Sequence, residues 1–483
     1  MKLFDRRYGA PGPGLRIACG AMAYLLVIVV YSLAQIAIGV WIARRLKGAG
    51  DFFVAGRTLS PGMLAATLLA ANIGAGSTVG AAAAGFRNGF AAWWWVGAAA
   101  LGCGVLAMTV GPRIRRIAAE HDLKTVGDFL EWRYDQRVRA AIAALLWIGT
   151  LFILAGQLLA MFSVLGTIVG LDKVTSCAIG AIVATTYFAV GGLKSSVAVN
   201  VVQVCVKLAG FAVAVPLALA AVGGIDGFHH AFPPGPYWSG WQNGNSGWMY
   251  VATLGPAFIV SPGILQKVYG ARDDRAARAG VGMNAAVLLL FAPIPAILGM
   301  IARARHPDLA AADLALPTLF MHDLPFWVGA LGLAAIFSAE LSAADALLFM
   351  LATSFSQDLY KRFVNPAADD RQILRCARGA AVAGGALGFA IAVTVAKGVL
   401  DALAIFYTLL GVSLFVPIVA GLYTRRGGAP AALCAIAGGI AVAGGVHWFS
   451  APGLLRGLTP LWGIAFAAAA YAIVAAAVPR RTP

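Results

Sequence analysis

Charged residues are scarce in this chain. Only 12% of the 483 residues are Asp, Glu, Lys or Arg, whereas 60% are hydrophobic, and the mean hydropathy is +0.83. Soluble globular domains contain about a quarter charged residues, so the composition excludes that class and indicates an integral membrane protein. The 36 Lys and Arg outnumber the 20 Asp and Glu. In a membrane protein this excess belongs to loops and sets topology, so no nucleic-acid partner is expected.

Cysteine and histidine are also rare. The six cysteines, at positions 19, 103, 177, 205, 376 and 434, lie inside or at the margins of apolar runs and form no Cys-x-x-Cys pair. Neither a disulfide framework nor structural zinc is therefore expected. The adjacent His229 and His230 lie in a loop and are interpreted as solvated side chains. Because the few polar residues inside the apolar runs supply no nucleophile, base and orienting group together, we expect no enzyme and no organic cofactor.

Long apolar runs predict about thirteen membrane-spanning helices. The first run, 17–43, follows a basic head, but it is too long for a signal peptide and precedes Arg44 and Arg45 instead of a cleavage site. It is therefore interpreted as a retained helix. The other predicted spans are 60–86, 89–112, 138–170, 174–193, 195–222, 247–266, 279–302, 326–357, 376–396, 400–423, 428–449 and 458–478.

The basic residues predict the orientation. Most of them fall in alternate loops, including 113–139, 267–278 and 361–378. The positive-inside rule makes these loops cytoplasmic, which places the N-terminus outside and the C-terminus inside, in the cell (inner) membrane. The opposite loop at 223–246 has no Lys or Arg and is rich in Pro, Gly and aromatic residues, which is typical of an interfacial lid.

The second span carries small residues, Gly74 to Thr78, at its centre. A helix that breaks there frees backbone carbonyls, which hydrocarbon does not tolerate unless they line a cavity or coordinate something. The pattern therefore predicts a discontinuous helix at a cation and substrate site, as in secondary transporters. Close packing against a neighbouring helix is the alternative. The span at 247–266 contains Pro256, Ser261 and Pro262 and is predicted to be broken too.

The two broken spans each open a set of five. An odd number of spans inverts the second set relative to the first, which is the pattern of an inverted-repeat transporter. The predicted organisation is an extra N-terminal helix and loop, a first repeat, an external loop, a second repeat and two extra C-terminal helices, at residues 1–59, 60–222, 223–246, 247–423 and 424–483.

Several ordered motifs resemble the sodium:solute symporter family. They are DFFVAGRTLSP, LAANIGAG, TVGDFLEWRY, YFAVGGLKSSVAVNVVQ and LSAADALLFMLATSFSQDLYKRF, and the resemblance covers about residues 25 to 425. It implies an all-α membrane protein with a five-plus-five inverted-repeat core of the leucine-transporter type. It further implies sodium-coupled symport of a small organic solute by alternating access. A transporter-like sensor would append a soluble domain, whereas this sequence stops after its last span, so sensing is the less favoured interpretation.

The resemblance also implies a sodium site. Its expected oxygen ligands, suited to a hard cation, are the carbonyls of Ala70, Ile73 and Ala339 and the hydroxyl of Ser342. The second hydroxyl of the family pattern is replaced by Ala343. Asp345 lies three residues from Ser342 on the same helical face, so its carboxylate can substitute for the missing ligand. Glu340 points nearly the opposite way and is assigned to helix packing or a polar network.

A second departure concerns the coupling residues Asn200 and Lys207. The family carries an aspartate where this chain has Asn200, and Lys207 follows on the same helical stripe. Because Lys207 and Asp345 each lie 13 residues from the predicted inner ends of their helices, an ion pair between them is geometrically allowed. A lysine ammonium can replace a bound sodium, which gives the alternative of a proton-coupled or sodium-independent carrier. Lys207 facing a watery vestibule is the third interpretation.

Substrate contacts are expected at the helix breaks and in the eleventh span. The candidates are Asn72, Gly74, Ser77, Ser261, Gly263 and Tyr407. The run Trp93 to Trp95 is interpreted as an interfacial belt. The expected partners are a small-molecule solute and the lipid bilayer, and the oligomeric state is left open.

Overall fold

The computed structural model describes residues 13–43, 57–241, 247–451 and 453–477. In this part of the chain there is no β-sheet; the extended backbone is limited to a bridge between Leu59 and Ala271. In chain order the helices are α1 (Pro13–Ala43), α2 (Pro61–Asn72), α3 (Val79–Asn88), α4 (Trp94–Met108), α5 (Val110–Glu120), α6 (Val126–Arg133), α7 (Gln136–Val169), α8 (Lys173–Ala221), α9 (Gly224–His230), α10 (Gly247–Val260), α11 (Pro262–Tyr269), α12 (Asp274–Phe291), α13 (Pro293–Arg305), α14 (Ala315–His322), α15 (Phe326–Thr353), α16 (Asp370–Thr394), α17 (Val399–Tyr423), α18 (Ala429–Phe449), α19 (Leu454–Gly457) and α20 (Thr459–Ala477).

The helices confirm an all-α integral membrane protein. Ten helical segments of the described residues are long and apolar enough to cross a bilayer. Every predicted span overlaps at least one helix, while the count of thirteen stays a prediction.

The predicted boundary near residue 194 is not seen. Helix α8 runs through it for 49 residues, which corresponds to about 74 Å, or more than two hydrocarbon thicknesses. It therefore contains both predicted spans, 174–193 and 195–222. The two glycines just before this boundary, Gly191 and Gly192, do not end the helix, because a glycine costs a helix only about 1 kcal/mol relative to alanine.

Helix α15 lies at the centre of the molecule. Its membrane segment is 94% buried, and it packs against α8, α7, α16, α1 and α2. The stretch from Ser338 to Ala346 in the middle of α15 consists mainly of Ala and Ser. Its two large side chains are Glu340 and Leu341. Small residues let helix backbones approach closely, so this stretch can accept neighbours on several sides. The helix continues as a π-helix over Ser354–Val364.

Both predicted helix breaks are confirmed. Helix α2 stops at Asn72 and α3 starts at Val79, with a short 3₁₀ turn over Ala75–Ser77 between them. Helix α10 stops at Val260 and α11 starts at Pro262. Proline at the first helical position lacks the N–H that a new helix leaves unpaired, so it favours a start there.

Candidate functional site

The first break owes its shape to residues that leave helical geometry. Ile73 has φ −91° and ψ 83°, and Gly74 has φ −133° and ψ −160°. A side chain at Gly74 would press on α15, because a Cβ there would lie 2.5 Å from the Cβ of Ala343. The break therefore needs glycine for close packing, and the interpretation of the same residues as a cation and substrate site stays a prediction.

Side chains replace the lost helical hydrogen bonds of the break. The Ser77 hydroxyl lies 2.8 Å from the Asn72 carbonyl and accepts the Gly74 N–H at 3.0 Å. The Thr78 hydroxyl lies 3.0 Å from the Gly74 carbonyl, and Gln157 Oε1 accepts the Ala75 N–H at 2.8 Å. The unwound backbone is thus satisfied inside the protein, as a membrane interior requires.

The ammonium of Lys207 lies at the point where two further carbonyls of the break converge. Its Nζ donates to Ala70 O at 2.8 Å, to Ile73 O at 2.9 Å and to Ser342 Oγ at 2.5 Å. These three bonds use all three donors of an ammonium. Lys207 is fully buried, and the Ser342 hydroxyl in turn lies 2.7 Å from Ala70 O and 3.0 Å from Ala339 O.

The oxygens predicted to hold sodium therefore surround a lysine. Ala70, Ile73 and Ser342 contact the ammonium directly, and Ala339 contacts it through Ser342. A sodium ion at this place would have to share these oxygens with the ammonium. The ion pair of Lys207 with Asp345 is not formed, because the donors of Lys207 are taken up by the carbonyls and the hydroxyl. The side chain of Asn200 lies outside the described residues.

Two acids and a second lysine complete the charges around this point. Glu340 is fully buried, interacts electrostatically with Lys207, and accepts the Thr78 hydroxyl at 2.9 Å, in keeping with the polar network expected for it. Asp345 is buried and interacts electrostatically with Lys267.

Lys267 was assigned to a cytoplasmic loop from the sequence, and that assignment is wrong. It lies in α11, is 3% exposed, and donates to Thr67 O in α2 at 3.0 Å. The sequence did contain a signal for this position. In ILQKVY, Lys267 lies only five residues after Pro262, so it belongs to the short helix that follows the break. Gln157 was missed for a different reason, since nothing in α7 marks it as facing the break.

A cavity adjoins the Lys207 site between the two helix breaks. The space outside protein atoms amounts to about 740 Å³, open solvent included. Of the predicted substrate residues, the structure places five on its wall: Asn72, Gly74, Ser77, Gly263 and Tyr407. Ser261 is not among the residues that line it; its carbonyl accepts the N–H groups of Ile264 and Leu265 at the start of α11.

Aromatic rings form one side of the cavity. Tyr407 packs against Phe258 with ring centroids 5.3 Å apart and against Trp95 at 6.2 Å. Trp95 is buried and lines the cavity, so its assignment to an interfacial belt is wrong. Trp93 and Trp94 instead donate their indole N–H groups to Gly240 O, at 2.9 and 2.8 Å, in the loop predicted to be external.

The loop 223–246 packs over the same end of the helices as those tryptophans. Tyr237 in its described part donates to Gly85 O at 2.8 Å, and burial raises the pKa of this phenol, so it remains a donor. His230 Nδ1 bonds to Asp226 O, and His229 stacks on Trp238. Within the described ranges no group of three or more His, Cys, Asp or Glu residues could hold a metal ion.

Ion pairs tie the helices together at the opposite, predicted cytoplasmic end. The buried Arg139 of α7 bonds Asp358 at 2.7 Å, Asp128 at 2.8 Å and Glu131 at 2.8 Å. Thr125 adds a hydroxyl bond to Asp358 at 2.6 Å. This cluster, Arg139 with Asp128, Glu131 and Asp358, joins α6 and α7 to the π-helical extension of α15.

Two broken helices, a charged centre at the breaks and an adjoining cavity define a membrane transporter. The profile of the sodium:solute symporter family matches residues 52–439, so the chain belongs to that family, which comprises transporters and not enzymes. It is 27% identical to a sodium/glucose cotransporter of Vibrio parahaemolyticus over 402 residues, covering 74% of this chain and 72% of the relative. It is 25% identical to the human high affinity choline transporter 1, covering 72% and 64%.

Solved structures share the fold. A sodium-coupled sialic acid symporter in a substrate-bound outward-open state superposes with a TM-score of 0.80 at 18% identity, covering 95% of this chain and 98% of that one. The nucleobase-cation symporter Mhp1 superposes with a TM-score of 0.58 at 15% identity, covering 89% and 95%. These likenesses confirm the leucine-transporter type of fold.

Proposed function

We propose that the protein is a secondary transporter of a small organic solute in which the Lys207 ammonium takes the place of the principal coupling sodium. The observation that carries the proposal is the convergence of Ala70 O, Ile73 O and Ser342 Oγ on Lys207 Nζ at 2.5 to 2.9 Å. The relatives are named for different solutes, among them glucose, choline and pantothenate. Small organic solutes are the class that those names share.

This arrangement argues against sodium coupling, the leading interpretation of the sequence. A sodium ion and an ammonium are both monovalent cations that bind oxygen atoms, and here the covalently attached one is already in contact with them. The loss of the second hydroxyl at Ala343 fits the same account, because an ammonium with three donors is satisfied by three acceptors. A sodium ion would need several further oxygens.

The coupling step follows from the chemistry of lysine. A protonated Lys207 links α8 to the break after α2 and to α15, as a bound sodium would. When the site is open to the compartment of higher pH, the ammonium transfers one proton to a water molecule, and the neutral amine that remains has two N–H donors and no longer joins the two carbonyls as a cation does. Proton release and rebinding then replace sodium release and rebinding in alternating access.

The N-terminus is proposed to lie outside and the C-terminus in the cytoplasm, in the inner membrane. The support is the distribution of Lys and Arg between alternate loops. The Arg139 cluster then lies on the cytoplasmic side, and the loop 223–246 outside. The inverted repeats at 60–222 and 247–423 remain part of the proposal, supported by the two helix breaks that open them.

Transport in proteoliposomes tests the function. Once a solute has been identified by thermal stabilisation, its uptake is measured with a sodium gradient alone and with a pH gradient alone. The proposal expects accumulation with the pH gradient and none with sodium, and Lys207→Ala should abolish the pH-driven uptake. Accumulation driven by sodium alone in the wild type would return the chain to sodium-coupled symport.

A further inference from the structure

The cavity wall carries a positive charge that the coupling step does not use. Of the described residues that line the cavity, Lys267 is the only one with a charged side chain. It is 97% buried, and within the described part of the chain one of its three N–H donors has a partner, Thr67 O. A buried ammonium with donors to spare beside a solute cavity is a binding group for an acceptor.

The helix that carries Lys267 adds to this field. Helix α11 begins at Pro262, and Gly263 in its first turn lines the cavity. Gly263 and Lys267 are four residues apart and share a helical face, so the ammonium and the N-terminus of the half-helix are directed to the same space. Pro262 has no N–H, and Ser261 O accepts those of Ile264 and Leu265, so the Gly263 N–H and the helix dipole are what this N-terminus offers to a negative charge.

The neighbouring charges do not reverse the sign. Lys207 lies close enough to Lys267 to interact with it electrostatically. The two acids that act on these lysines, Glu340 and Asp345, are not part of the cavity wall. The charged group nearest to a solute in the cavity is therefore Lys267, which repels a cation and attracts an anion.

The remaining walls are apolar. They include the rings of Trp95, Phe258 and Tyr407 together with Met350 and Leu403. Resting on the proposed transport function, we propose that the solute is a small organic anion. Its carboxylate binds Lys267 and the N-terminus of α11, and its apolar body packs against the aromatic side.

Two sets of matched compounds test this proposal on the purified full chain. The first set is phenylacetate, 2-phenylethanol and phenethylamine, and the second is hexanoate, hexanol and hexylamine. Within each set the body is similar and the head group changes from anionic to neutral to cationic. Thermal unfolding is followed at increasing concentration of each compound, and only the carboxylates should raise the unfolding temperature of the wild type.

Variants assign the effect to the cavity. Lys267→Met keeps the length of the side chain without the charge and should weaken carboxylate binding at least tenfold, whereas Lys267→Arg should retain it. Lys173→Met is the matched control, since Lys173 bonds Val393 O and Ala396 O away from the cavity. If Lys267→Met does not fold, Gly263→Ala replaces it. Its Cβ would lie 2.8 Å from Sδ of Met350, another residue of the cavity wall, so it narrows the cavity at the start of α11 and should also weaken binding.

The proposal is overturned if no carboxylate stabilises the wild type, if the amines or alcohols stabilise it as well, or if Lys267→Met binds carboxylates unchanged. None of these results would alter the response of the protein to sodium. They would refute the assignment of the solute as an organic anion, but they would not contradict the proposed role of Lys207.

Discussion

Removing the Lys207 side chain should turn this protein into one that binds sodium. Lys207→Ala leaves the oxygens of Ala70, Ile73 and Ser342 around a space that a sodium ion and water can enter. In choline chloride this variant should be less stable than the wild type by about 3–5 kcal/mol, the usual cost of removing one partner from a buried group of charges. Ala70 O keeps the Ser342 hydroxyl at 2.7 Å, whereas Ile73 O loses the ammonium.

Sodium should restore much of this loss in Lys207→Ala. A ligand that binds only the folded state stabilises it by RT ln(1 + [L]/Kd), so sodium at about 100 times its Kd gives about 2.7 kcal/mol. The assay is thermal unfolding of the purified protein in sodium chloride and in choline chloride at the same ionic strength. The wild type should unfold at the same temperature in both salts.

Lys207→Met is the matched control for this rescue. It loses the same charge, but the methionine side chain fills the space, so sodium should not restore its stability. The reasoning is refuted if Lys207→Ala is indifferent to sodium, or if the wild type and Lys207→Met gain as much from sodium as Lys207→Ala does.

Three further substitutions probe the rest of the site. Ser342→Ala should destabilise the wild type in both salts by about 1.5–3 kcal/mol, the worth of a hydrogen bond to a charged group, and equal stability in a thermal scan would speak against the contact. Gly74→Ala should cost about 1–3 kcal/mol of stability, since its Cβ would lie 2.5 Å from the Ala343 Cβ. Gly104→Ala is the control and should cost little, because no atom lies within 4 Å of the added Cβ. Equal unfolding temperatures for the two variants would argue against the tight break. Arg139→Gln leaves the Asp358 carboxylate without its buried partner and should loosen that end of the helices. A cysteine introduced at Ala346 in the cavity wall should then react faster with reagents added from the cytoplasmic side, and unchanged labelling would mean that the Arg139 cluster does not close that end.

The sequence predicted the breaks because their cause is local. Glycine and serine at the centre of an apolar run, and proline after serine in another, are poor helix formers wherever they occur. The depth of Lys207 also followed from counting residues along a helix, which is why a lysine near the family's cation position was a reasonable expectation. The partners of the Lys207 ammonium could not be predicted in this way. They depend on the rotation of α8 against α2 and α15, which decides whether the ammonium contacts carbonyls or Asp345.

Other features were predicted wrongly because packing between helices overrides the local sequence pattern. Lys267 looks like the first residue of a basic loop, and only the continuation of α11 to Tyr269 places it inside. Trp95 follows two tryptophans that both bond to Gly240 O, so the sequence does not separate it from them. The boundary predicted near residue 194 is not formed, because the glycines before it penalise the helix by only about 1 kcal/mol each and α8 continues through them.

Sodium binding to the wild type tests the central claim most directly. Radioactive sodium is equilibrated with the purified protein, and bound ion is measured against excess unlabelled sodium, with Ser342→Ala and Lys207→Ala in parallel. The account predicts no saturable sodium binding at the Ala70, Ile73 and Ser342 oxygens of the wild type, and saturable binding in Lys207→Ala. Saturable binding by the wild type that Ser342→Ala abolishes would contradict it.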